Sequence, residues 1–304
     1  MKQKKEKLTI TSYDLPIKNI SFEDEPPKRK KKKRRLKKWV LILIIIILGF
    51  ISSFNILKLL DWSKDNKKTN NNIKEIENTK TEEIKDDENT ELISTPDDKE
   101  SDYWYYITFP LIKVDFTELI KKNEDTVGWI NVNNTNINYP VVQSTDNNYY
   151  LTHSYDKKEN EAGWVFLDYR NNKDFTSKNN IIYAHSRLDK TMFGSLSKVL
   201  KQSWYKDKSN HIIRLSTPTE DSLWQIFSVY VIKEETYYIT TSWSSDTEYL
   251  NFLNTIKERS KYNFNTELNT DDKILTLSTC YSDTERTVVH AKLIKRNNRV
   301  EKIK

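Results

Sequence analysis

The chain has 304 residues and a formal net charge of +6, with one cysteine, four histidines and four glycines. A lone cysteine excludes an intramolecular disulfide, and one thiol with four scattered histidines shows no metal-ligand spacing. Four glycines leave no phosphate-cradling loop, so the composition calls for no metal and no cofactor.

Lys28 to Lys38 carries ten basic residues in eleven, and Trp39 to Leu57 is almost wholly apolar. A helix of roughly 20 apolar residues crosses the hydrocarbon core. The basic run is therefore read as an orientation signal that meets anionic lipid, not as a nucleic-acid patch, and it places the N-terminus in the cytoplasm. A cleavable signal peptide is the competing interpretation. The long basic region and the length of the apolar run favour an uncleaved signal-anchor. The expected organisation is a cytoplasmic tail over 1–38, a transmembrane anchor over 39–60, a flexible or partly helical extracellular stalk over 61–102 and a folded outer domain over 103–304. The stalk assignment rests on composition: Lys, Asp, Asn, Glu and Thr dominate it, with few large apolar residues to offset ordering entropy.

Within the outer domain, Phe116, Leu119 and Ile120 predict a short amphipathic helix over Val114 to Asn123. Short runs with turn signals between them follow: 127–132, 137–142, 163–168, 180–185, 211–215, 223–233, 273–278 and 287–295. Strands so spaced predict a mostly-β, closed or nearly closed barrel. A short helix is expected at Met192 to Gln202. A longer one over Asp246 to Tyr262 carries Tyr249, Leu250, Leu253 and Ile256 at helical spacing, with Asp246 or Thr247 as N-cap.

Cys280 closes the run Ile274-Leu275-Thr276-Leu277-Ser278-Thr279-Cys280. A free cysteine is either a small buried hydrophobe or a nucleophile, and a nucleophile needs an imidazole and an oxyanion donor nearby in space. His185 ends the apolar strand Ile181 to Ala184, where a strand delivers a side chain to a barrel rim. His290 lies mid-strand and His211 opens a strand, which are structural positions, while His153 in a Tyr-rich loop is a second groove candidate. Arg286 begins the strand after Cys280. It is either a solvated strand-end arginine or, since a guanidinium is never a base, a group that binds carbonyls and stabilises negative charge.

Val127-Gly128-Trp129-Ile130, Tyr139-Pro140-Val141-Val142-Gln143, Asp146-Asn147 with Tyr150-Leu151, Phe166-Leu167-Asp168 with Arg170-Asn171, Ile182-Tyr183-Ala184-His185 with Met192-Phe193-Gly194, and Thr276-Leu277-Ser278-Thr279-Cys280 with Arg286 occur in this order over most of the outer domain. In these motifs the chain resembles a class B sortase, a membrane-anchored cysteine transpeptidase of Gram-positive bacteria. It departs from the family in Ala184, where glycine is usual, and in the five-residue loop Tyr281 to Glu285, which is usually longer.

The resemblance implies a closed sortase-type barrel with an N-terminal helix and an inserted helix before the cysteine strand. It implies that Cys280 attacks the carbonyl after threonine in a C-terminal sorting motif, that His185 moves protons and that Arg286 holds the oxyanion. Asn147, Thr241, Ser278 and Thr279 match groove positions. The implied partners are surface proteins bearing a sorting signal and an amine of a peptidoglycan precursor or a pilin; no nucleic acid is implied. With a thiol near about 8.5 and an imidazole near about 6.5, the reactive ion pair is a minority form at neutral pH, so a slow enzyme is expected. The alternative is a catalytically silent, membrane-tethered module that only holds an extended peptide.

Overall fold

In a computed structural model the described residues are 37–77, 79, 81–280 and 284–299. The expected cytoplasmic tail, up to residue 36, and Tyr281 to Asp283 of the short loop lie outside them. The chain divides into two units, Met1–Asn55 and Ile56–Lys304.

Helix α1 spans Lys38–Glu77 and is long and apolar enough at its start to cross a membrane. Its residues from Trp39 to Trp62 expose their large apolar side chains.

The second unit is built from strands β1 (Thr81–Ile84), β2 (Thr90–Leu92), β3 (Leu111–Val114), β4 (Thr126–Val132), β5 (Asn138–Val142), β6 (Phe166–Leu167), β7 (Asn179–Tyr183), β8 (Ile212–Ser216), β9 (Glu220–Lys233), β10 (Ile274–Cys280) and β11 (Glu285–Asn298). Helices α2 (Tyr103–Tyr106), α3 (Thr117–Lys122), α4 (Gln202–Tyr205) and α5 (Asp246–Glu258) interrupt them. One sheet runs β10-β7-β6-β5-β4-β8-β9-β11-β2, and β10 also pairs with β11, which closes everything but β2 into a barrel. The neighbours are antiparallel except β10 with β7 and β5 with β6. The mostly-β closed barrel expected from the strand spacing is what the chain forms.

Alternation along β10 and β11 explains their burial on both faces. Leu275, Leu277, Val289 and Ala291 enter the main core inside the barrel, while Ile274 and Val288 join Tyr249, Phe252, Leu253 and Ile256 of α5 in a second core outside it. The N-cap of α5 is Ser245, not Asp246 or Thr247: its side chain accepts from Glu248 N at 3.2 Å, and the Glu248 carboxylate turns back to Ser244 N at 2.8 Å.

Three expectations are corrected. Among its described residues the 61–102 segment is helical as far as Glu77, which the partly helical alternative allowed, and is then tied to the barrel unit, β1 pairing with β3 and β2 with β11. Ile76 enters the main core and Ile84 packs against the cluster that holds Tyr103, Tyr106 and Leu111, while Trp62 and Leu92 stay exposed. The boundary at 103 is therefore not a structural one. The expected helix from Met192 is a 3-10 turn, Leu196–Leu200, followed by α4, because Met192 adopts a positive φ of 49° and bridges to Ser186. The helix expected over Val114 to Asn123 is only Thr117–Lys122, since Val114 belongs to β3.

Candidate active site

Register places the three predicted catalytic residues. In the parallel pair β10–β7 the last partners are Ser278 and Tyr183, and two residues further on come Cys280 and His185. In the antiparallel pair β10–β11 Cys280 is the Cα partner of Arg286. Strand β10, which ends at the cysteine position, therefore has on one side β7, the strand that leads into His185, and on the other β11, which carries Arg286.

His185 is held from several directions. Its Nε2 lies 2.7 Å from the Leu151 carbonyl, which can only accept, so Nε2 carries the hydrogen. Its own carbonyl accepts from Phe193 N at 3.0 Å, closing a tight loop whose base needs Gly194: a Cβ there would meet the Arg187 carbonyl at 2.1 Å. Gly163 passes on the other side with φ +57°, and a Cβ on it would lie 3.0 Å from the imidazole Cδ2 and 2.6 Å from the Tyr150 carbonyl. Arg286 is mostly buried; its Nη2 pairs with Glu234 at 2.8 Å and its Nη1 donates to the Glu285 carbonyl at 3.2 Å.

His185 and Arg286 line a cleft of about 500 Å³, together with Asn147, Ser278, Thr279 and Tyr183 among others. Ser278 and Tyr238 share a hydrogen bond of 3.1 Å on its floor, and burial pushes the Tyr238 hydroxyl above its ordinary range. Thr279 is 4% exposed, and among the described residues its Oγ1 has no hydrogen-bond partner. Such an orphan beside a cleft suits a group that an incoming ligand satisfies.

Asn147 belongs to a buried network around Asp168. The Asp168 carboxylate accepts from Arg170 Nε at 2.9 Å and Nη2 at 2.7 Å, from Asn147 Nδ2 at 3.0 Å and from the Tyr183 hydroxyl at 3.0 Å. Burial would raise this carboxyl, but the Arg170 guanidinium and backbone N–H outweigh it and hold it below the usual carboxylate range. Gln143 fastens the same turn, donating to the carbonyls of Asp168 and Asn171 at 2.8 Å each. Arg170 also reaches the Ile239 carbonyl at 3.0 Å, tying this network to the opposite cleft wall.

Thr241 is not among the cleft residues. It lines a neighbouring depression with Asn172, Lys178 and Asp246. The other histidines lie elsewhere: His290 is buried between Tyr230 and Thr276, His211 is buried against Tyr106, and His153 stacks on Tyr149. Gly163, Tyr183 and Glu234 were missed by sequence reasoning. Gly163 is one of only four glycines, and Tyr183 precedes His185 by two on one strand, so both had a signal; Glu234 had none.

Residues 130–294 match a family model described as Sortase domain. The chain is 36% identical over 191 residues to Sortase B of Listeria monocytogenes, covering 60% of this chain and 75% of that one. It is 37% identical over 188 residues to Sortase B of Staphylococcus aureus, covering 60% and 76%. Among solved structures it is similar to a Bacillus anthracis protein described as similar to sortase B, at 35% identity and TM-score 0.60, over 79% of this chain and 99% of that one. It is also similar to Staphylococcus aureus sortase B in a substrate complex, at 38% identity and TM-score 0.56, over 59% and 84%.

Proposed function

The chain belongs to the sortase family of cysteine transpeptidases, with class B members as its relatives, and we propose that it cleaves a C-terminal sorting motif after threonine and transfers the protein to an amine. The observation that supports this reading is that Arg286 is the Cα partner of Cys280, that the strand leading to His185 pairs with the strand ending at Cys280, and that His185 and Arg286 line one cleft.

In this mechanism the Cys280 thiolate attacks the carbonyl carbon of the motif's threonine, and the oxyanion forms against the Arg286 guanidinium. The imidazolium of His185 gives its proton to the departing amine, leaving a thioester. An acceptor amine then attacks the thioester, His185 takes its proton, and the thiolate departs. Because Nε2–H donates to the Leu151 carbonyl, Nδ1 is the nitrogen that gains and loses this proton. Asn147, Ser278 and Thr279 bind the peptide along the cleft, and Thr241 lies beyond it.

The apolar start of α1 supports a single-pass anchor, with the basic tail cytoplasmic and the barrel outside the cell. The substrates are then surface proteins with a C-terminal sorting signal, and the acceptor is an amine of a peptidoglycan precursor or a pilin.

The test is to incubate the chain with a library of quenched peptides bearing NPxTx and SPxTx motifs and to follow cleavage and Cys280 acylation by mass spectrometry. A thioester on Cys280 with release after threonine supports the proposal. No adduct in a folded protein with an accessible thiol overturns it in favour of a silent peptide-binding module.

A further inference from the structure

We infer that the stretch of α1 from Asp65 to Ile76 is a positioning element for His185, so that the helix carrying the apolar span also holds the imidazole in working orientation. This rests on the assignment of His185 as the proton-transfer residue.

Asp65, Asn66, Thr69, Asn72, Ile73 and Ile76 recur at spacings of three and four, which places them on one helix face. That face is largely polar yet buried: Thr69 is fully buried, Asn72 is 7% exposed and Ile76 is 4% exposed. Polar groups so buried need partners, and here the partners belong to the two segments that flank His185 in space.

On one side the partner is Asn160, 1% exposed. Its Nδ2 donates to the Asp65 carbonyl at 3.3 Å and to Thr69 Oγ1 at 3.1 Å. Its Oδ1 accepts from Ala162 N at 2.9 Å, and its carbonyl accepts from Gly163 N at 3.0 Å. Gly163 is the residue that passes against the imidazole, and Trp164 N next to it donates to the Tyr150 carbonyl at 2.9 Å. Leu151, whose carbonyl accepts from His185 Nε2, follows directly.

On the other side the partner is Arg187, two residues after His185. Its Nη2 donates to Asn66 Oδ1, and its Nε donates to Thr191 Oγ1 at 2.9 Å. Thr191 belongs to the loop that Phe193 N closes on the His185 carbonyl. A single helical turn, Asp65 to Thr69, therefore grips both arms of the histidine cradle, and Asn72 adds a bond to Asp156 at 3.3 Å. A rigid support of this kind fixes a proton-transfer group, and a misplacement of about 1 Å can cost a hundredfold in rate.

The experiment compares the full chain in detergent micelles with the double variant Asn66→Ala, Thr69→Val. Glu75→Gln serves as a control on the same helix, since Glu75 pairs with Lys122 of α3 and not with the cradle. Peptide acylation of Cys280 is measured against pH together with kcat, KM and Tm. The expected result is a kcat lowered by about tenfold to a hundredfold with KM within about twofold. It also includes a displaced imidazole limb of the pH profile, wild-type behaviour in Glu75→Gln and restoration by Thr69→Ser with Asn66 intact. Wild-type kcat and pH limbs in the double variant overturn the inference, as does a loss that only follows a fall in Tm with the limbs unmoved. Failure of the wild-type chain to acylate at all would instead overturn the assignment of His185, and this inference with it.

Discussion

Arg286 and Glu234 form an ion pair, Nη2 to Oε2 2.8 Å, on the wall of the cleft that His185 also lines. The arginine is mostly buried, but Glu234 keeps 69% of its side chain exposed, so water screens the pair. Such pairs are worth about 0–1 kcal/mol, little enough for a substrate carbonyl to take over the guanidinium.

Replacing Glu234 with Gln should therefore lower KM for a peptide substrate by up to about fivefold, with kcat nearly unchanged. Arg286→Lys, which keeps the charge but loses the planar fork, should lower kcat/KM by more than about tenfold. Steady-state kinetics at two salt concentrations checks both. A raised KM in Glu234→Gln would show that Glu234 orients the arginine instead of competing for it.

Gly163→Ala should damage both stability and rate. The position holds φ +57°, and the added Cβ would press on the carbonyls of Tyr150 and Leu151 and on His185. Strain of this kind costs about 1–3 kcal/mol. Urea melts should show that loss, and kcat should fall because the shifted Leu151 carbonyl no longer fixes the imidazole. A variant of wild-type kcat would mean that the cradle tolerates movement.

Asp168→Asn should loosen the cleft wall. The carboxylate is fully buried and compensates Arg170 while ordering Asn147 and Tyr183. Breaking a buried pair costs about 3–5 kcal/mol, and with Arg170 partly solvated about 2–3 kcal/mol is expected here. Peptide KM should rise with it, measured by denaturation and kinetics on the same preparation.

Stability should fall on mild acidification because of His290. Thr276 Oγ1 donates to Asn179 Oδ1 at 2.6 Å and so accepts from His290 Nδ1 at 2.8 Å, while Nε2 accepts from the Tyr230 hydroxyl at 2.8 Å. The imidazole is neutral, and burial pulls its pKa from 6.5 to about 3. The unfolded chain takes up a proton below 6.5 that the native site refuses until about 3, so stability is full above this window and is lost as pH falls through it. The slope from this group is about 1.4 kcal/mol per pH unit. His211, whose pKa burial also lowers, acts in the same direction. Urea midpoints at about pH 5 and 7 should differ less in His290→Gln than in the parent; equal differences would place the titration elsewhere.

The expectation for Cys280, His185 and Arg286 rested on each standing where a β-type run meets a polar turn, and His185 and Arg286 line one cleft. Asn147, Ser278 and Thr279 came from motif resemblance and do line the cleft, whereas Thr241 lines a separate depression because the preceding turn, Thr236 to Ile239, supplies that wall. The strands β1 and β2 were hidden because the apolar residues around them are few, and one of them, Ile84, packs against a cluster drawn from far along the chain, including Ile294 and Ile212. Composition counts apolar residues but not the partners they meet.

Local chemistry decided the elements. Nineteen nearly continuous apolar residues from Trp39 make a helix long and apolar enough to cross a membrane, β-branched runs make strands, and the Tyr249, Leu253 and Ile256 spacing makes α5. Tertiary structure decided which elements meet. That β7, the strand leading to His185, lies parallel beside β10, and that Asp65 to Thr69 reach the histidine cradle, depend on pairings across about 90 and 120 residues of chain. Such pairings are set by the closing of one sheet around one core, an energy shared by all the strands and carried by no single segment.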